Sequence, residues 1–203
     1  DCNCDRGQTD HVTEPRTRTP QEERTRAMRL RLLEATIDSL VDLGWAGTST
    51  TEVSRRAGVS RGAQLHHFPN KFELVTAAVK HLASKRHEDL MNDAQQLGPD
   101  RRTREVLELL TDQFVGQVFQ AALELWVAAR SDTALREQMI DFERELGRET
   151  HATAVRLLGI DESLGRNRQL VQITLDLMRG LGLAQSLNDD SARRSIILDT
   201  WAI

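Results

Sequence analysis

Residues 49–71, STTEVSRRAGVSRGAQLHHFPNK, decide the fold. Ser49 followed three residues later by Glu52 is a capping box, in which each side chain satisfies a backbone N–H of the other's turn. It predicts a short helix that runs to Ala57 and stops at Gly58. Val59 points back to the interior, Ser60 caps a second helix to about His67, and Pro69 breaks it. Two short helices joined by Gly58-Val59 have the dimensions of a helix-turn-helix, spanning Ser49–Phe68. The turn needs a positive φ, which glycine adopts without steric cost. Leu40, Val53, Ala57, Val59 and Phe68 are expected to form the small core that fixes the interhelical angle. The second helix is then expected to expose Arg61, Gly62, Gln64, Leu65 and His66. The small Gly62 lets the backbone approach DNA, and Arg61 can reach a phosphate or a guanine edge. At the start of the following helix, Lys71 and the backbone N–H groups could together hold a phosphate.

Outward from this stretch the chain reads as helix throughout. Upstream, Leu30, Leu33, Ile37 and Leu40 follow the three-and-four spacing of an amphipathic helix from about Gln21. Gly44 ends it as a left-handed cap, with Trp45 packed over the exit. Downstream, Asn70 and Glu73 form a second capping box, opening a long helix through Leu74, Val75, Ala78 and Leu82 towards Gln96. Gly98-Pro99-Asp100 is the sharpest break in the pattern. Helical segments are expected at about 101–114, 117–131, 133–158, 165–187 and 190–203, with no strand-like alternation and no internal repeat. The fold class is therefore all-α. Residues 1–19 are polar and read as a flexible tail. Cys2 and Cys4 could form a Cys-x-Cys metal clip with His11 or simply belong to that tail, and no metal site is assigned. The chain opens without Met, so trimming of its start is expected. It ends on Trp201-Ala202-Ile203 without a cap, so continuation is expected there.

The 203 residues are 39% hydrophobic and 29% charged, as in a globular protein with a real core. No apolar run approaches the roughly 18–20 residues of a membrane span, and no secretory signal opens the chain, so a cytoplasmic location is expected. The net charge of −4 looks wrong for a nucleic-acid partner, but its distribution is uneven. Arg16 to Arg86 carries thirteen Lys/Arg against seven Asp/Glu, and residues 98–203 carry thirteen against seventeen. Any phosphate-binding surface belongs to the first half.

The run Leu32-Leu33, Gly44-Trp45, Thr48-Ser49, Val53, Ala57-Gly58-Val59-Ser60-Arg61-Gly62 and His66-His67-Phe68-Pro69-Asn70-Lys71 resembles the TetR family of bacterial regulators over about residues 24–75. The resemblance implies an all-helical homodimer: a three-helix DNA-binding head (20–75) and a larger helical ligand-binding and dimerisation domain (76–203). It implies binding of double-stranded operator DNA at a palindrome, usually as a repressor, with release by a small-molecule effector and no cofactor. On this resemblance Ser49, Thr50 and Thr51 touch DNA from the second helix. Arg61, Gly62, Ala63 and Leu65 match base-facing positions, with Gln64 beside them on the exposed helix. His66, His67 and Lys71 match backbone contacts. The family often carries Thr at position 63 and Tyr at 65 and 67. Here Ala63 and Leu65 can instead touch thymine methyls. The last two helices are expected to pair with their two-fold mates as a four-helix bundle.

Several residues keep two readings. Ser49 and Ser60 are caps, with DNA contact as an added role. Arg55 and Arg56 read as a solvated face. The arginines at 16–31 are either surface charge or an arm for the adjacent groove. Trp126, with Phe119 and Leu123 on one helical face, is either core or ligand pocket, and Phe114, Met139, Phe142, Leu177 and Met178 pose the same question. Gly180 and Gly182 fit either a dimer seam or a local kink. A helical-bundle enzyme is the main rival class. The sequence lacks Glu-x-x-His, a phosphate loop, Gly-x-Ser-x-Gly and His-Glu-x-x-His. A dimeric binding protein without operator binding is the other alternative, and Arg61, His66 and Lys71 argue against it.

Overall fold

The computed structural model describes residues 20–97 and 103–202, and all the regular elements there are helices: α1 Pro20–Gly47, α2 Thr50–Ala57, α3 Arg61–His67, α4 Lys71–Gln96, α5 Thr103–Asp112, α6 Gln117–Ser131, α7 Thr133–Leu158, α8 Asn167–Gln185 and α9 Ser191–Trp201. The tail with Cys2, Cys4 and His11, and the break at Gly98-Pro99-Asp100, lie outside the described residues.

The helices start and stop where the local signals place them, with the capping boxes formed from one side: the Glu52 carboxylate goes to Arg55 and Arg56, and Glu73 accepts from the Asn70 side-chain amide. Ser49 accepts from the Glu52 N–H at 3.1 Å, Ser60 from Ala63 at 3.2 Å and Asn70 from Glu73 at 2.9 Å. Gly58 sits at φ 64°, ψ 37° and closes α2 through its N–H to the carbonyls of Ser54 and Arg55. Gly44 interrupts α1 at φ 64°, and a side chain there would meet the Glu124 carboxylate of α6.

The apolar interior forms two clusters. The first joins Leu32, Ile37 and Leu40 of α1, Val53 of α2, Phe68 and Val75 to Ala121 and Leu125 of α6 and to Met139 and Phe142 of α7. The three-helix head therefore has no core of its own; it shares one with the body, and α1 packs along α6 as well as α2 and α4. The second cluster joins Leu90 of α4, Leu107 and Leu110 of α5, Phe119, Leu157 of α7, Leu175 and Met178 of α8, and Leu198 of α9. Trp126 packs against both.

Of the two glycines singled out in α8, Gly182 is buried inside the protomer, and a Cβ there would run into the Phe114 carbonyl. That corrects its expected place at a dimer seam: the close approach is to the α5–α6 turn of the same chain. Gly180 is exposed with open space around it.

Candidate DNA-binding face and body cavity

The head presents a surface built from the N-termini of α2 and α3. Ser49, Thr51, Arg61, Gly62, Leu65 and His66 are exposed, and Thr50, Ala63 and His67 are half-buried. Arg61 has no hydrogen-bond or ion-pair partner among the described residues, so its guanidinium is free for an anion. Arg55 and Arg56 are not. Both bind Glu52, at 2.7 and 2.8 Å, and Arg56 also reaches Asp42 at 2.6 Å. Those two guanidiniums pull the Glu52 carboxyl down to about 2.

Two of the residues singled out on this face are placed differently from the sequence reading. Gln64 is fully buried, and its amide donates to the Phe68 carbonyl at 2.6 Å. Residues 64 and 68 are four apart, so when Phe68 enters the core the side chain one turn before it follows. Lys71 is half-buried, with its ammonium donating to the Trp45 carbonyl and 3.8 Å from that ring's centre. Burial lowers its pKa. It ties the start of α4 to the exit of α1, and a phosphate would have to compete with that contact.

The histidines close the face. His66 and His67 lie edge to face, 5.4 Å between ring centres. His67 has a pKa below the usual histidine value, first through burial and then through the charges of His66 and Arg29. Arg29 of α1 stacks on Phe68 at 4.7 Å, which brings one of the N-terminal arginines to the end of the recognition helix. Spacing in the sequence carried no signal for that contact.

In the body, a cavity of about 630 Å³ lies between the two apolar clusters, walled by α4, α5, α6, α7 and α8. Of the residues weighed for ligand binding, Phe114, Phe119 and Trp126 line it. Met139 and Phe142 are buried in the first cluster and Met178 in the second, so these three sit in core rather than on the cavity wall. Leu123 is half-buried and off the wall. Trp126 stacks edge to face on Phe119 at 6.2 Å, Phe119 on Phe114 at 6.0 Å, and the indole N–H donates to Glu143. The wall also carries Arg86, His87, Arg156 and Arg179, none of which the sequence reading singled out. α4 contributes Arg86 and His87, α7 Arg156 and α8 Arg179, and no motif links them.

Fold and site together define a DNA-binding protein whose helix-turn-helix head is joined to a cavity-bearing helical body. Residues 32–78 match the family model of bacterial regulatory proteins, tetR family. The chain is 32% identical over 184 residues to the HTH-type transcriptional regulator CymR of Pseudomonas putida, covering 88% of this chain and 89% of CymR. It is 30% identical over 145 residues to an uncharacterized HTH-type transcriptional regulator of Mycobacterium tuberculosis, covering 71% and 74%. A putative transcriptional regulator from Pseudomonas aeruginosa PAO1 has the same fold, with a TM-score of 0.69 at 23% identity over 91% of this chain and 90% of that one. The chain belongs to the TetR family and is a DNA-binding transcriptional regulator. Its relatives and structural neighbours are regulators, not enzymes. Proteins of this family bind operator DNA, typically as dimers.

Proposed function

We propose that this regulator is a cytoplasmic homodimeric repressor. It places paired recognition helices, Ser60–His67, on a two-fold symmetric operator and leaves the DNA when a small molecule fills the body cavity. The observation that carries the reading is the path of α4. Its first turns, through Leu74 and Val75, belong to the core beneath the recognition helix, while Ala83, Arg86, His87 and Leu90 further along line the cavity. A ligand that moves this helix moves the head. The DNA contacts proposed are Arg61, Gly62, Ala63, Leu65, His66 and His67, with Ser49, Thr50 and Thr51 from α2. Structural neighbours bear on the cavity: EbrR, a multidrug binding protein, was solved with imidazole and with proflavin, and a regulator from Saccharomonospora viridis with choline.

The dimer rests on the outer side of the last two helices. Leu170, Ile173 and Leu183 of α8, with Ile196 and Trp201 of α9, are exposed large apolar side chains on consecutive helices. An exposed apolar patch of this kind fits a second copy of the same surface, the self-complementary contact of a two-fold dimer.

Selection of bound sequences from a random DNA pool tests the reading. It should return an inverted repeat with half-site centres spaced by whole helical turns, and the affinity should fall steeply with salt. A preferred site without two-fold symmetry, or flat salt dependence, would refute it.

A further inference from the structure

We propose that the cavity takes an organic monoanion: a carboxylate carried on a flat aromatic body. This deepens the reading of the cavity as the effector site and rests on it.

Three buried side-chain polar atoms lack a partner among the described residues: Oε1 of Gln64 in the head, and Nε of Arg86 and of Arg179. Both arginines line the cavity. A guanidinium does not lose its charge in a protein, so its dehydrated N–H must be met by an acceptor. Arg86 has no carboxylate within ion-pair distance among the described residues; it donates to the Asp112 backbone carbonyl, and the Asp112 carboxylate, which feels the Arg86 charge from farther off, is paired with Arg194. Arg179 reaches the exposed Asp176 at 2.6 Å through Nη1, leaving Nε unengaged. The two arginines come from α4 and α8 but converge on one turn. Arg86 binds at Asp112, and the Arg179 guanidinium carbon lies 5.7 Å from the ring centres of both Phe114 and Trp126.

The rest of the wall fits a flat ring. Phe114, Phe119 and Trp126 form a chain of edge-to-face contacts along the cavity, a surface suited to an aromatic guest. The wall is not free of acids. Glu143 is there, but it already accepts the Trp126 N–H; Glu88 and Glu149 border the cavity and are exposed to water. A cation would leave both Nε–H groups unpaired and add a like charge beside two guanidiniums. A neutral guest would bring Arg86 no countercharge, whereas Arg179 already has Asp176. An anion satisfies both, and charge-assisted hydrogen bonds are the stronger kind. Held there, it would also tie α4 to the α5–α6 turn and α8, the contact by which it would bias the helix that leads to the head.

The test is calorimetric titration of the full chain with 2-naphthoate, its amide 2-naphthamide, the cation 2-naphthylmethylammonium, and octanoate. The acid should bind about tenfold or more tightly than the amide, the difference expected when a charge-assisted pair replaces neutral hydrogen bonds. Arg179→Gln and Arg86→Gln should each remove most of that preference, and the Lys variants should restore part of it. A melting curve for each variant shows that it folds. Because Arg86 also holds the Asp112 carbonyl, Arg179→Gln decides if Arg86→Gln unfolds. Binding of the amide or the ammonium as tight as that of the acid would overturn the anion while keeping the cavity as a ligand site. Acid binding indifferent to both substitutions would place it outside the cavity and overturn the assignment. Failure of the acid to bind at millimolar concentration overturns it too. Octanoate binding as tightly as 2-naphthoate would overturn the aromatic half.

Discussion

The core beneath the recognition helix and the core of the body use the same aliphatic residues but end differently. The first runs from Leu32 through Val53 and Val75 to Leu125 and Phe142, and contributes only Val79 of its buried residues to the cavity wall. The second gives up Leu90, Leu110, Phe114, Phe119 and Leu175 to that wall. Close packing makes an interior stiff, because a shift of any side chain is passed to its neighbours. A ligand site needs the reverse, a place where packing is incomplete. The molecule keeps the tight packing next to the DNA-binding head and leaves the gap in the body. Trp126 touches both.

The sharpest way to break this comparison is to truncate one leucine from each side. Leu125 is fully buried in the closed core, so Leu125→Ala should cost about 2–5 kcal/mol, towards the upper end because little can move into the void. Leu110 is also buried but already faces the cavity, so Leu110→Ala enlarges an existing space and should fall towards the lower end. Urea unfolding at one fixed protein concentration measures both. Equal costs would mean that the two cores are packed alike.

Trp126 decides whether the gap communicates. A tryptophan packed fully in a core costs about 3–5 kcal/mol when cut to alanine. Trp126 is half-buried with one side on the cavity, so Trp126→Ala should cost less than that, alter the response to ligand and leave operator affinity in place. A strongly destabilised protein with an unchanged ligand response would show that Trp126 is core.

The two regions also differed in what could be read from the sequence. The head is written in short-range signals: Ser49 with Glu52, Gly58, Ser60, and Asn70 with Glu73 each act within four residues, and each is seen in the structure. What failed there depended on distant contacts. Lys71 finds Trp45 and Arg29 finds Phe68, partners 26 and 39 residues away, and Gln64 turns inward with its own helix. In the body, periodicity located the helices and their buried faces but not what those faces meet. Met139, Phe142 and Met178 have the composition of a pocket and are core, whereas Arg86 and Arg179 look like surface charges and line the cavity. A cavity is a failure of packing between five helices, and no single helix records it.

On the head, the free guanidinium of Arg61 should be worth about 1–3 kcal/mol to operator binding if it reads a base, with preference relaxed at one position. Gel-shift titration of Arg61→Ala against the parent and against single-base variants of the selected site checks it. A uniform loss across all sites would make Arg61 a phosphate contact instead.

The smallest effect should come from His67, and its sign is fixed by the structure. In the free protein its pKa lies below the ordinary histidine value of about 6.5, because burial, His66 and Arg29 all disfavour the imidazolium. The unfolded chain therefore binds more protons in the window between the folded value and about 6.5, and the free protein should lose stability as the pH falls through it. A DNA phosphate placed at His67 acts in the other direction, favouring the charged ring and raising its pKa in the complex. Binding then takes up protons, so operator affinity should rise as pH falls from about 8 to 6, by roughly a few-fold and never more than about tenfold per pH unit for each histidine. The opposite slopes separate the two effects: a falling melting temperature with a rising affinity cannot come from loss of folded protein. Operator affinity across that range at fixed salt, for the parent, His66→Gln and His67→Gln, reads the slope. It should flatten most in His67→Gln, and three parallel curves would show that neither ring changes charge on the DNA.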